Sequence, residues 1–182
     1  MTPVIAFWFP DNTVLCNFAC VDRIPLLEQI LNGRGRWTTA VAYEAKRSAQ
    51  IKYRSLQPLV GGGFLGEPIE VKDDEADAVE TVRASFGGTS AMPMEHLGEA
   101  ETLHVIQTRR EFKGNSTWIS DDRITLSFAR KKNINVMDTT DLMGQGCVAG
   151  DVMPAEAKRL LEAMRAQERT VRVPRSIDEL IR

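Results

Sequence analysis

Cysteine is scarce in this sequence, histidine is scarcer, and neither forms a pattern. Cys16, Cys20 and Cys147 are an odd number that cannot all pair. No Cys-x-x-Cys and no Cys/His set at zinc spacing occurs, which excludes a disulfide scaffold and a zinc ribbon. The three read as buried thiols of a protein kept in a reducing compartment. His96 and His104 are accompanied by no Gly-x-Ser-x-Gly elbow, so both read as surface or satisfied core residues rather than as a nucleophile's base. The run Gly61-Gly62-Gly63 lacks the Lys-Ser/Thr of a phosphate loop and reads as connection. An excess of one charge is also missing: 23 basic residues against 25 acidic give a net charge of -2. The whole molecule therefore does not attract a polyanion, and such a partner must be held by a local basic patch or by bound metal. No apolar run approaches the roughly 20 residues of a membrane span. The opening, MTPVIAFWFPD, has no basic leader and only a short apolar stretch, so a cytoplasmic protein with no membrane association is expected.

What is there suffices for one domain. With 182 residues, 43% hydrophobic and 26% charged, the chain can bury one substantial core. The expected division is a main unit over residues 1–150, with a C-terminal helix and tail over 151–182 packed on the same domain. Val4 to Phe9 is a continuous apolar run stopped by Pro10 and Asp11, as in a central parallel strand. Helical spacing follows over Thr13 to Ala19 and Ile24 to Leu31, where Asn32-Gly33 stops it. Arg36 to Thr39 predicts a short strand. Ala40 to Arg54 predicts a helix with Val41, Ala45, Ala49 and Ile51 on its apolar face. Further expectations are a strand at Pro68 to Val71 and helices over Asp73 to Phe86 and Gly98 to Arg110. A strand at Ser116 to Ser120, a helix over Arg123 to Lys132, a strand at Ile134 to Met137 and a helix over Pro154 to Arg165 complete the pattern. A short helix after Pro174 ends it. Trp8, Trp37 and Trp118 are assigned to the core or its margin.

Strands alternating with helices predict an α/β fold with a central parallel sheet, whose ligands sit beyond the carboxyl ends of the strands. Asp11 and the pair Asp121-Asp122 each follow a strand and fall on that edge. Glu44 and Glu99 lie in first turns of helices, which can face it. Acids brought together repel one another unless protons or cations neutralise some of them, and a hard divalent ion does so while bringing hydrolytic chemistry. Taken singly, Glu44, Glu99 and Glu101 are ordinary helix-start acids that suit the dipole, and Asp121 could cap the following helix.

In order along the chain these segments resemble a PIN domain, the nuclease fold of VapC-type toxins and related ribonucleases. DNTVLCNF (Asp11 to Phe18) is similar to the family's opening, and IPLLEQIL to its second helix. TTAVAYEA (Thr38 to Ala45) resembles the segment that ends in its second acid. GEAETL (Gly98 to Leu103) is similar to a Gly-Glu helix start of one subgroup. ISDDRITLSFARKKNINVMDTTDLM (Ile119 to Met143) resembles the closing stretch. The resemblance implies a single-domain, three-layer α/β/α fold and a metal-dependent endoribonuclease. It places the family's acids on Asp11, Glu44, Glu99 and Asp122, with Asp121 auxiliary, Glu101 a weaker choice than Glu99, and Thr13 and Ser120 in support. Its departures are Glu instead of Asp at 99, a long segment between Arg54 and Gly98, and a C-terminal extension.

The expected cofactor is Mg2+ or Mn2+, held by oxygen donors with no histidine nearby to favour a softer metal. Lys46, Arg47 and Arg123 are candidates for the phosphates of an RNA substrate. Arg34 and Arg36 precede a strand and belong to the opposite edge. An antitoxin protein and a second copy of the chain are the further partners that the resemblance implies. Two other classes compete. A PIN-like scaffold would engage a partner with its acidic pocket and hydrolyse nothing. A haloacid-dehalogenase type phosphotransferase needs a second aspartate where Thr13 stands, and carries little weight.

Overall fold

The computed structural model describes residues 6–181. It is a mixed α/β structure, mostly helical, with one small parallel sheet of three strands. Strand β1 is Phe7–Pro10, β2 is Ser116–Ile119 and β3 is Asn135–Met137, hydrogen-bonded in that order. The start of the expected first strand, Val4 and Ile5, lies outside the described residues. Pro10 pairs with Ile119 and Ile119 with Met137, so all three strands end at one level.

The strands alternate as period-2 geometry requires. Trp8 and Ile119 join the larger apolar cluster, while Phe9 and Trp118 join a smaller one with Leu103, Ile106, Phe112 and Ala129. Both faces of the sheet are therefore covered, which is why β1 reads as an unbroken apolar run, while β2 buries Ser116 and Thr117 beside Trp118 and Ile119. Phe112 receives the rings of Phe7 and Phe9 edge-on at 5.0 and 5.1 Å, a favoured aromatic geometry.

Helices α1 (Asn12–Cys20), α2 (Ile24–Leu31) and α3 (Thr39–Ile51) supply nearly half of the larger cluster. In α2 the residues Ile24, Leu27, Ile30 and Leu31 are buried, and the helix ends where Asn32 turns left-handed at φ 46°. In α3 Val41, Ala45 and Ala49 face inward as expected, but Ile51 does not. It is 76% exposed, because the helix ends there and its last turn has passed the edge of the core.

The two short strands expected at Arg36 to Thr39 and Pro68 to Val71 are reduced to one parallel bridge between them, Thr38 with Ile69, and Gly35, just before the first, bridges Trp8. Pro68 has no N–H to donate and Gly35 has no side chain to pack, so neither segment extends its ladder. The short α4 (Gln57–Val60) and α5 (Ala76–Ser85) follow, and then α6 (Leu97–Thr108).

The connection before α6 is organised by Arg83, which is 2% exposed. Its guanidinium donates two hydrogen bonds to Glu80 and one each to the carbonyls of Thr89, Met92 and Glu95. All five donors are satisfied, so the charge is buried without an orphan.

Beyond β2 come α7 (Arg123–Lys131), β3, α8 (Thr139–Ala149) and α9 (Pro154–Ala166). Helix α8 had no counterpart in the sequence reading. Gly144 and Gly146 lower its intrinsic propensity, yet Asp138 and Asp141 form a reciprocal capping box at its start. Gly146 is required by packing, since a Cβ there would stand 2.7 Å from the Ile30 side chain of α2. Leu161 and Met164 of α9, with Val171 and Leu180 of the tail, enter the larger cluster. The thiols are free, and only Cys16 is buried; Cys20 and Cys147 are half-buried, contrary to the expectation for all three. Among the described residues no helix is long and apolar enough to cross a membrane.

Candidate functional site

Each acid is placed by local structure. Asp11 follows β1, and its N–H donates to the carbonyl of Ile119, extending the ladder by one residue. Its carboxylate caps α1 by accepting the Val14 N–H at 3.0 Å, and it also accepts the Thr13 hydroxyl. Asp121 stands two residues past Ile119, on the same edge because the strands are parallel and in register. Glu44 lies on α3 and Glu99 in the first turn of α6, two helices that pack together. Gly98 permits the contact. A Cβ there would lie 2.9 Å from Glu44 Oε1 and 3.3 Å from Val41 Cγ2, so only glycine lets α6 start against the Glu44 carboxylate.

Electrostatics tie these side chains to one another. Burial pushes the Asp11 carboxyl above its ordinary range; hydrogen bonds from Ser120, Thr13 and Val14 oppose this, and the charge of Glu99 adds to it. Burial also dominates at Glu44, followed by the charges of Glu99, Asp11 and Glu101, and together they push it up to about 8 against a weak opposing pull from Arg47. Asp121 is pushed up to about 7 by burial and by Asp11 and Asp138, while the hydroxyl and N–H of Thr139 hold it back. Asp11, Glu44, Glu99 and Asp121, from four separated segments, thus share one field.

Asp122 stands differently from what the resemblance implied. Its carboxylate accepts the Ile124 N–H at 2.8 Å and the Thr125 hydroxyl at 3.2 Å, which makes it the cap of α7. Asp121 is the member of the pair that feels Asp11. It accepts Asn17 Nδ2 at 2.7 Å, the Thr139 N–H at 3.1 Å and the Thr139 hydroxyl. An acid that begins a helix is drawn to its free N–H groups, and in Ser120-Asp121-Asp122 the second aspartate is the one with cap geometry. We expect Asp122→Ala to destabilise the protein by about 1 kcal/mol, while Asp122→Asn leaves stability nearly unchanged because the amide oxygen still caps. Thermal melting should place the two variants roughly 2–4 °C apart. Equal melting temperatures would remove the capping role.

The supporting residues are also placed. The Ser120 hydroxyl, fully buried, lies between Asp11 and the Asp122 N–H, which donates to it at 3.1 Å. Glu101 adds its charge to the field at Glu44, while its carboxylate is engaged in accepting the Ala40 N–H at 2.8 Å at the start of α3. Lys46, Arg47 and Arg123 are exposed, and Arg123 lines a cleft with Thr13, Asp121 and Asp122. Arg34 stacks 3.9 Å over Trp8, beside the bridge to Gly35.

No family model, no curated protein and no solved structure matches this chain. The geometry therefore speaks for itself. Among the described residues no three Asp, Glu, His or Cys side chains form a closed shell round a single point. The carboxylates interact electrostatically without forming such a shell. As a donor set they suit a hard cation that keeps part of its water, since carboxylates can hold such an ion through its waters as well as directly. Burial and mutual repulsion make Asp11, Glu44 and Asp121 costly to ionise, and a divalent ion would relieve that cost by replacing their protons.

Three participants escaped the sequence reading. Asn17, 1% exposed, sits among Val14, Leu15 and Phe18 on the inward side of α1. It donates to Asp121 and to Thr139, and a polar residue inside an apolar stripe was the available signal. His96 comes within 3.4 Å of Glu99, so a histidine does stand beside the acids. It is brought there by a left-handed turn, φ 59°, that no local pattern announces. Arg169 reaches Asn17 from the C-terminal segment across 152 residues.

Gly98 offers a direct test of the α3–α6 contact. We expect Gly98→Ala to fold with little change in melting temperature, because the obstructing oxygen is the end of a flexible side chain. Displacing Glu44 should weaken Mn2+ binding by about tenfold, as loss of a supporting contact does. Calorimetric titration of both proteins with Mn2+ checks this, and equal affinity would show that Glu44 takes no part in holding the ion.

Proposed function

We propose that this chain is a PIN-like, metal-dependent endoribonuclease of three-layer α/β/α plan that hydrolyses RNA phosphodiester bonds. The observation that carries the reading is the convergence of Asp11, Glu44, Glu99 and Asp121 at the carboxyl edge of the sheet, with burial and mutual repulsion raising Asp11, Glu44 and Asp121. Asp11, Glu44 and Glu99 would hold Mg2+ or Mn2+, with Asp121 acting through bound water. Such an ion lowers the pKa of its water and stabilises charge on the leaving oxygen.

The chain's own residues supply orientation. Thr13 and Val14 fix the Asp11 carboxylate from one side. Asn17 and Thr139 fix Asp121 from the other. A pre-aimed carboxylate loses little entropy when it engages ion or substrate. A cytoplasmic toxin held by an antitoxin, acting as a homodimer, is the biological role that fits the reading.

The absence of a closed ligand shell among the described residues favours one second reading, a scaffold whose acids engage a partner without hydrolysis. Purified protein incubated with single-stranded RNA, with Mg2+ or Mn2+ and with chelator, decides between them. Metal-dependent cleavage supports the nuclease. No cleavage and no calorimetric signal with Mn2+ leaves the scaffold.

A further inference from the structure

We infer that Arg169 binds a phosphate of the RNA strand beside the scissile one, in a cleft that the C-terminal segment contributes to the acid site; this rests on the nuclease reading. The cleft, 510 Å³, adjoins the acids through Thr13, Asn17 and Asp121 and is completed by Arg169 and Thr170 from beyond α9. A second hollow of 420 Å³ shares Asp121, Arg123, Arg169 and Thr170 with it and adds Arg165 and Arg172. Arg123, Arg165 and Arg169, which form no ion pair among the described residues, follow one groove leading from the carboxylates, lined also by the acids Asp122, Asp138 and Glu168, with Arg172 paired to Asp138 and Asp141. Cationic side chains spaced along a groove and free to meet phosphates are how single strands are held without regard to sequence.

Arg34 and Arg36 are held by neutral carbonyls, but they lie away from the acids, beside Trp8 and Phe7. Among the fixed arginines of the acid site and the buried ion pairs, Arg169 stands apart. Arg83 is neutralised by Glu80, Arg109 by Glu75, and Arg172 by Asp138 and Asp141. Arg169 instead donates from Nε to Asn17 Oδ1 at 2.7 Å and from Nη2 to the Thr13 carbonyl at 3.2 Å, both neutral oxygens. Among the described residues it forms no ion pair, although the acids Asp122 and Glu168 also line the cleft. Asp122 is occupied as a cap, and Glu168 is exposed. The result is a half-buried guanidinium held in one orientation with its charge unspent. A planar fork so fixed suits a phosphate and has already lost the freedom that binding would take from it. Through Asn17, which donates to Asp121, the same side chain is one hydrogen bond removed from the acid cluster.

The test uses full-length Asp11→Asn protein, which should bind RNA without cutting it, and a labelled single-stranded oligoribonucleotide followed by fluorescence anisotropy. Adding Arg169→Gln should raise Kd about tenfold, and between about 50 and about 200 mM salt it should lower the slope of log Kd against log salt by about 0.7, one phosphate contact. Arg169→Lys should keep the slope. In the otherwise native protein, Arg169→Gln should raise KM more than it lowers kcat. Unchanged Kd and slope in Arg169→Gln overturn the inference while leaving a cleaving wild-type enzyme a nuclease. An RNA neither bound nor cut by the wild type removes both. Displacement of an acidic peptide but not of RNA by the substitution also overturns it. If Arg169→Gln fails to fold, photocrosslinking of thiouridine-containing RNA to the Asp11→Asn protein decides, with adducts expected on the peptide that carries Thr170 and their absence overturning the proposal.

Discussion

Replacing Asp11 by Asn is expected to reduce metal-dependent RNA cleavage by more than a hundredfold while leaving the protein folded. Loss of a residue that merely orients a metal ligand costs about 10- to 100-fold, and Asp11 is proposed to meet the ion itself. Its position supports this. Asp11 is bonded to Thr13 and Val14, feels Glu99, and raises both Glu44 and Asp121, so it is the one acid linked to all the others. The substitution keeps an oxygen to cap α1, which is why stability should change by no more than about 1 kcal/mol. Glu44→Gln should behave likewise. Asp121→Asn should have the smaller effect of an acid acting through water, and Asp122→Asn the least, since Asp122 caps α7. Cleavage rates over this series, with melting curves as controls, give the ranking. Full activity in Asp11→Asn would end the nuclease proposal.

The second large effect is the response of stability to pH and metal. Glu44 titrates near 8 in the folded chain, against an ordinary value of 4.5, and Asp121 near 7 against 3.8. Between those limits the folded protein holds protons that the unfolded chain has released. The resulting stabilisation is complete below the unfolded values and is lost as pH rises through the folded ones. In chelator, melting temperature should therefore fall from about pH 5 to about pH 8. A divalent ion competes with these protons, so its effect should have the opposite trend, largest near pH 8 and small near pH 5. At a hundred times its dissociation constant a ligand adds about 2.7 kcal/mol, or roughly 5–10 °C for a chain of this size. Thermal scans with and without Mn2+ at several pH values measure it. A Mn2+ increment that is the same at every pH, or the same in Glu44→Gln, would show that the ion binds elsewhere.

Much of the fold was legible because local rules and tertiary demands agreed. Ile24–Leu31 matches its apolar spacing, bracketed by Pro25 and Asn32. The first strand announced itself as an apolar run because both faces of the sheet are covered. Legibility failed where a contact distant in sequence overrode local preference. Helix α8 forms over two glycines because Gly146 must admit Ile30. The expected strands at Arg36 to Thr39 and Pro68 to Val71 stop at the single bridge that joins them, Thr38 with Ile69. In the site, the order of acids could be read, and Thr13 was found as the partner of Asp11. The division of labour between Asp121 and Asp122 could not, since adjacent aspartates look alike until one meets the free N–H groups of a helix and the other meets Asn17 and Thr139.

By itself, then, the sequence determined the parallel arrangement of β1, β2 and β3 and the acids that would stand at their carboxyl ends, because alternation, capping and chain breaks act over a few residues. Only the tertiary structure decided which carboxylates share a field, that His96 stands beside Glu99, and that Arg169 reaches Asn17 from the far end of the chain. Those outcomes depend on packing between α1, α3, α6 and the C-terminal segment, and separations through space are not encoded in spacing along a chain.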